Sequence, residues 1–188
     1  MTETPNPNIV DADTITGEMH PIRRVVLSLG SNLGNRRDNL QGAVDSLADT
    51  PDVWVTAVSP VYETEPVGAP EGSDTFLNAV VLADTTLSAH TLLDRCLAVE
   101  DAFGRERTAP NAPRTLDVDL IVVGDRRSDT DELRLPHPKA RERAFVLKPW
   151  FDLEPDAELL GAGPIADLIA QIGLDGVVLR EDIQIDLQ

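Results

Sequence analysis

The 188 residues contain a single cysteine and a single tyrosine; aromatic residues make up 4% of the chain, and 16 basic residues face 33 acidic ones. A lone cysteine, Cys96, excludes a disulfide framework and fits a reducing compartment. No apolar run approaches the roughly 18 residues of a membrane span. The opening segment, MTETPNPNIVDADTITGEMH, has neither a basic n-region nor an apolar h-region, so it does not read as a secretory signal. These absences together point to a cytoplasmic protein. The formal net charge of −17 argues against a nucleic-acid or anionic-membrane partner. Nothing in the chain implies an obligatory protein partner.

What is present is ordinary for a globular chain, with 41% hydrophobic and 26% charged residues. Residues 1–21 carry prolines and no apolar periodicity, which predicts a disordered tail. Residues 22–188 then form one domain, long enough for a sizeable core. The bases are unevenly spread. Arg105, Arg107, Arg114, Arg126, Arg127, Arg134, Lys139, Arg141 and Arg143 all fall between positions 100 and 143.

The periodicities predict strands at 24–29, 53–61, 76–82 and 116–123, and helices at 36–48 and from Ser88 to about Phe103. Asn35 and Ser88 stand where N-caps belong, and Gly104 where a helix C′ glycine belongs. The segment 63–75 (ETEPVGAPEGSDT) is too rich in proline, glycine and acids for either regular element. A short strand near 132–135, a helix over 140–150 ending at Pro149, a helix at 165–172 and a weak terminal strand follow. The order β-α-β-β-α-β is the split βαβ pattern. The expectation is therefore an α+β, ferredoxin-like core sheet with helices packed on one face, plus additional C-terminal elements.

One strand carries an anomaly. In APRTLDVDLIVVG, Asp117 and Asp119 are two apart and share a strand face, with Val118 and Leu120 opposite. Two like charges roughly 5–6 Å apart repel by about 3 kcal/mol at an effective dielectric near 20. Without a compensating cation one of them holds a proton. A hard divalent cation such as Mg²⁺ removes the conflict, and the neighbouring arginines suit a polyphosphate. A solvated strand end with two surface acids is the plainer alternative for a bare D-x-D.

Four ordered segments bear on that choice: LGSNLGN, FLNAVV, PRTLDVDLI and LPHPKARERAF. Together they resemble the 6-hydroxymethyl-7,8-dihydropterin pyrophosphokinase family over about residues 24–160. The resemblance implies transfer of pyrophosphate from MgATP to the pterin hydroxymethyl group, with release of AMP, in folate biosynthesis. It implies that Asp117 and Asp119 hold two Mg²⁺ ions against the triphosphate, and that Arg105 and Arg114 contact that triphosphate. Glu100, Arg107, His137 and Arg143 match positions on the ATP side. Thr64, Val67, Phe76, Asn78 and Phe145 match the pterin positions. From the residues alone, Phe76 and Phe145 could equally be core, Asn78 a satisfied buried amide, and His137 a turn residue between prolines.

The chain departs from the family pattern at three places. Pro110 and Asn111 stand where a basic residue and an aromatic are usual, in a loop one residue short. Glu65 replaces a usual proline, and Leu97 a polar nucleotide contact. A metal-dependent nucleotidyltransferase is a rival, but Gly30-Ser31 and the D-x-D are far apart in the chain, and PHPKARERAF has no role there. A silent pterin- or nucleotide-binding module is a rival of another class.

Overall fold

The computed structural model describes residues 20–68, 71–104 and 115–188. Of the expected disordered tail, positions 1–19 lie outside the described residues. The remaining chain is a mixed α/β arrangement, an antiparallel sheet with four α-helices.

The central strand, β1 (Arg23–Ser31), is buried along nearly its whole length because it has partners on both sides. It pairs antiparallel with β4 (Phe76–Thr85) and with β5 (Asp117–Val123). Helix α1 (Arg36–Ala48) starts at Asn35, whose side chain accepts from the Asp38 amide at 3.1 Å. Helix α2 (Ala89–Ala102) starts at Ser88, which accepts from the Thr91 amide at 3.1 Å. Both caps satisfy amides that a helix start leaves open. Gly104 takes φ +75°, as a glycine after a helix end does.

The single strand expected over 53–61 is two strands. β2 (Val53–Val58) stops short of Ser59 and Pro60, and β3 (Tyr62–Thr64) follows. Pro60 has no amide to give the ladder. Ser59 holds the bend to β4 instead, its amide donating to the Val80 carbonyl at 2.9 Å and its hydroxyl accepting from the Val80 amide at 2.8 Å. Both β2 and β3 thereby pair with β4.

The helix expected over 140–150 also differs. A 3-10 turn at Ala140–Glu142 ends at Arg143 in extended conformation, and α3 (Ala144–Leu153) begins after it. Pro149 does not end α3. The missing amide removes one ladder bond, while Val146, Leu147, Pro149 and Trp150 are all buried. Burial of that apolar face outweighs the lost bond.

Two small hairpins, β6 (Ser128–Asp129) with β7 (Arg134–Leu135) and β8 (Glu158–Leu159) with β9 (Gly163–Pro164), lead to α4 (Ile165–Ile172). The last strand, β10 (Val178–Leu179), pairs with β3 and extends the sheet to six strands.

Two cores result. Val25, Leu27 and Leu29 of β1 pack with Leu40, Val44 and Leu47 of α1 and with Leu92 and Cys96 of α2. Val26, Val80, Leu82 and Ile121 pack with Val146, Leu147 and Trp150 of α3 and with Ile165 and Leu168 of α4. The expectation of helices on one face therefore holds for α1 and α2 only. The C-terminal helices cover part of the other face, and the rest of that face carries the polar residues described next. No helix of the described residues is long and apolar enough to cross a membrane.

Candidate functional site

The strand registers put four residues in one row across the sheet: Tyr62 opposite Asn78, Asn78 opposite Gly30, and Gly30 opposite Asp117. Residues paired across antiparallel strands share a face. Alternation fixes which face, since Leu27 and Leu29 enter the α1/α2 core while Val26 enters the other. Ser28 and Gly30 are therefore on the α3/α4 side, along with Asn78, Asp117 and Asp119. Glycine opens a gap in the middle of the row. A Cβ on Gly30 would lie 3.5 Å from Asn78 Oδ1 and 3.5 Å from Phe76 Cδ1.

The amide of Asn78, 3% exposed, has a fixed orientation. Its Nδ2 donates to Thr64 Oγ1 at 2.9 Å and to the Tyr62 carbonyl at 3.3 Å. A carbonyl only accepts, so the nitrogen must face β3, and Oδ1 faces Gly30 as an acceptor. Tyr62 itself donates its hydroxyl to Asp152 of α3, which also receives Lys148 Nζ at 2.7 Å. Burial, the bond to Asp152 and its charge all hold the Tyr62 hydroxyl above its ordinary range, so it stays protonated. This network ties α3 to β3.

Asp117 is almost buried, while the Asp119 side chain is 41% exposed and lies 3.9 Å from Arg143 Nη1. The Arg143 guanidinium stands 5.5 Å from the centre of the Phe145 ring, within cation–π range. The break before α3 thus brings Arg143 to Asp119, with Phe145 beside it. Behind the strand, Glu100 is 2% exposed and accepts from the Val118 amide at 2.8 Å. β5 is the edge of the sheet, and Glu100 caps an outward amide between the two aspartates. The Cys96 thiol nearby is pushed up to about 12 by burial and by the Glu100 and Asp119 charges, so it is no nucleophile.

His137 sits in the turn before the 3-10 helix, its amide bonded to the Ile121 carbonyl at 2.9 Å. Burial, then the Arg143 and Lys139 charges, lower its pKa to about 4. Its Nδ1 accepts from the Lys139 amide at 3.2 Å. The ring is therefore neutral near pH 7 with its proton on Nε2, which is a hydrogen-bond donor.

The structure thus brings Thr64, Phe76, Asn78, Asp117, Asp119, Arg143 and Phe145 into one linked patch. Val67 is not joined to it and is 82% exposed. Arg105, Arg107 and Arg114, with the short loop holding Pro110 and Asn111, lie outside the described residues. Gly30, read from sequence as the glycine that stops the 24–29 strand, lies inside β1 instead, and the Tyr62–Asp152–Lys148 network was not singled out. The signal for Gly30 was available, because it keeps the alternation that points Ser28 away from Leu27 and Leu29.

The donor set is compatible with magnesium. It consists of two carboxylates two apart on one strand, and among the described residues no group of three or more His, Cys, Asp or Glu could form a protein cage. Mg²⁺ is usually held that way, by one or two carboxylates plus phosphate and water.

Comparison with known proteins follows the same lines. The family model for 7,8-dihydro-6-hydroxymethylpterin-pyrophosphokinase (HPPK) matches residues 26–155. A 2-amino-4-hydroxy-6-hydroxymethyldihydropteridine pyrophosphokinase of Pseudomonas aeruginosa is 38% identical over 156 residues, 83% of this chain and 96% of that protein. The enzyme of the same name from Mycobacterium leprae is 48% identical over 151 residues, 74% of this chain and 76% of its own. Among solved structures, the Plasmodium falciparum HPPK-DHPS A437G complex with SDX-DHP superposes with a TM-score of 0.63 at 14% identity. That match covers 82% of this chain and 46% of the other, so this chain spans less than half of the parasite protein. The chain belongs to the 7,8-dihydro-6-hydroxymethylpterin-pyrophosphokinase family.

Proposed function

We propose that this chain transfers pyrophosphate from MgATP to the hydroxymethyl oxygen of 6-hydroxymethyl-7,8-dihydropterin, releasing AMP, in folate biosynthesis. The observation that carries the reading is the cross-strand row, in which one glycine separates an amide aimed across the sheet from the first carboxylate of the D-x-D. A heterocycle-reading group and a metal-binding group are thereby adjacent on one face.

In the reaction the hydroxymethyl oxygen forms a bond to the β-phosphorus. The bond between that phosphorus and the α,β-bridging oxygen breaks, its electrons leave with AMP, and the hydroxyl proton passes to water. Asp117 and Asp119 would hold two Mg²⁺ ions, which when bound neutralise charge on the triphosphate. Arg143, 3.9 Å from Asp119, would offer its guanidinium to the phosphates beside the two carboxylates. The Nε2 proton of neutral His137 is available to a phosphate oxygen. Glu100 acts behind the strand rather than on the nucleotide, fixing the backbone between the two metal ligands. Arg105 and Arg114 supply further phosphate contacts in this reading, and Arg107 serves the nucleotide.

Asn78 Oδ1 accepts from the ring N–H or amino group of the pterin, whose donors it matches. Phe76 and Phe145 flank the heterocycle, and Thr64 holds the amide in register by accepting from it. Val67, exposed just after β3, is a further apolar contact for the pterin in this reading. The protein's task is positioning and electrostatics rather than covalent chemistry. We further read the core as ferredoxin-like, with residues 22–188 as one cytoplasmic domain and 1–21 as a dispensable tail.

Incubating the full chain with MgATP and hydroxymethyl-dihydropterin tests the assignment. AMP and pterin pyrophosphate are expected in equal amounts. Release of pyrophosphate would mean nucleotidyl transfer, and no turnover with ligand bound would mean a binding module.

A further inference from the structure

Past the family match at 26–155, the chain continues through α4 into a strap that returns to the sheet. The Arg180 amide donates to the Val61 carbonyl at 2.9 Å, just after β10 pairs with β3. Ile183 and Ile185 then pack on the α1/α2 core. Gln41 of α1 exchanges two hydrogen bonds of 2.8 Å with the backbone of Asp186.

Where the strap crosses β3, one carboxylate oxygen joins three elements. Glu63 Oε2 lies 2.9 Å from Arg180 Nη1 and 2.9 Å from Arg36 Nη1 of α1. The same Arg36 nitrogen reaches Thr75 Oγ1 at 2.7 Å and the Thr75 carbonyl at 3.0 Å. Asp182 takes the other side of the Arg180 fork, at 2.8 and 2.7 Å. Burial works against the Glu63 charge, yet the bonds from Arg36 and Thr75 and the charges of Arg180 and Arg36 hold its carboxyl below the usual range. Each of Glu63, Arg36 and Arg180 is about three-quarters buried. Networked, partly buried ion pairs hold geometry better than an isolated surface pair.

The location matters because the two residues next in sequence, Thr64 and Phe76, are cross-strand partners in the pterin patch. The network therefore clamps both ends of the β3–β4 connection one residue before each of them. Arg36 and Thr75 also line, with Asn32, Gly34 and Asp74, a polar cleft of about 270 Å³ on the same flank.

We infer that Arg180, from the strap beyond the family-matched segment, is a positioning residue for pterin: through Glu63 it fixes the β3–β4 hairpin that carries Thr64, Phe76 and Asn78. The inference rests on the pterin reading above. Two guanidiniums share one carboxylate, so losing the Arg180 side chain leaves Glu63 tied to α1 through Arg36, and β3 tied to the strap only through backbone bonds.

The test uses full-length Arg180→Ala, Arg180→Lys and Glu63→Gln proteins, with kinetics for both substrates, melting temperature, and backbone hydrogen exchange at Thr64 and Phe76. The expected result is a pterin KM raised about three- to tenfold in Arg180→Ala, with the KM for ATP and kcat within about twofold. Exchange at Thr64 and Phe76 should quicken, and Arg180→Lys should recover part of both effects. An unchanged pterin KM in an active Arg180→Ala protein overturns the inference. So does a parallel loss in both substrates that follows melting temperature, because that is a structural role alone. A wild-type chain that fails to bind pterin in a fluorescence titration overturns the pterin reading itself. The two failures are thus separate.

Discussion

Gly30→Ala should move stability and pterin binding in opposite directions. Gly30 lies in β1 with ladder partners on both sides, Asn78 and Asp117, and its backbone is not in the left-handed region. Alanine is therefore free of backbone strain there. Its Cβ would meet Asn78 Oδ1 at 3.5 Å, Phe76 Cδ1 at 3.5 Å and Phe76 Cε1 at 3.9 Å, all ordinary contacts. A strand-interior glycine costs roughly 0.5–1 kcal/mol relative to alanine, so the variant should be more stable by about that amount. In a chain of this size that is a rise of about 1–4 °C in melting temperature. The same methyl fills the gap between the amide and the carboxylate. Overpacking a fitted site costs about 1–3 kcal/mol, which weakens pterin binding about 5- to 150-fold. Calorimetry gives the first quantity, and fluorescence titration of the pterin with a non-hydrolysable ATP analogue present gives the second. A drop of several degrees would mean that the register or the space at Gly30 is wrong. Unchanged pterin affinity would mean that the ligand does not lie over this row.

Asp117→Asn and Asp119→Asn should each cut turnover by orders of magnitude while leaving the circular dichroism spectrum intact; full activity in both at ordinary Mg²⁺ would remove the metal assignment. Asn78→Asp should cost about 1–3 kcal/mol of stability and most pterin affinity, because a carboxylate oxygen would face the Tyr62 carbonyl; denaturant melts and titration check both, and a neutral outcome contradicts the amide orientation. His137 should titrate near 4 by NMR. Because that lies below its unfolded value of about 6.5, its contribution to stability is complete above 6.5 and is lost as pH falls from 6.5 towards 4. His137→Gln should flatten that part of the stability profile, and an unaltered slope would show that other groups set it.

The fold was legible wherever a local signal decided the outcome. Asn35 and Ser88 cap the helices expected of them, and 165–172 is helical as its apolar spacing predicts. Where several signals competed, sequence pattern gave the wrong result. Pro60 splits β2 from β3 because a missing amide matters in a ladder, whereas Pro149 leaves α3 unbroken because four neighbouring side chains are buried there. Proline has the same chemistry in both places. Only the packing around it, which depends on distant residues, separates the two outcomes.

The site follows the same division, one level up. The D-x-D was visible because two carboxylates on one strand face are a local conflict that needs an answer. That conflict says nothing about neighbours two strands away. Asn78, Gly30 and Asp117 become adjacent only through the registers of β1 with β4 and of β1 with β5, the second carrying a bulge in β5 opposite Val26 and Leu27. Slipping either register by one residue would turn the row toward the α1/α2 core, placing an aspartate and an asparagine amide among leucines. The apolar alternation of β1 thus does two jobs, burying Leu27 and Leu29 and holding the polar row on the open face. In this fold the core packing and the alignment of the site are set by one constraint.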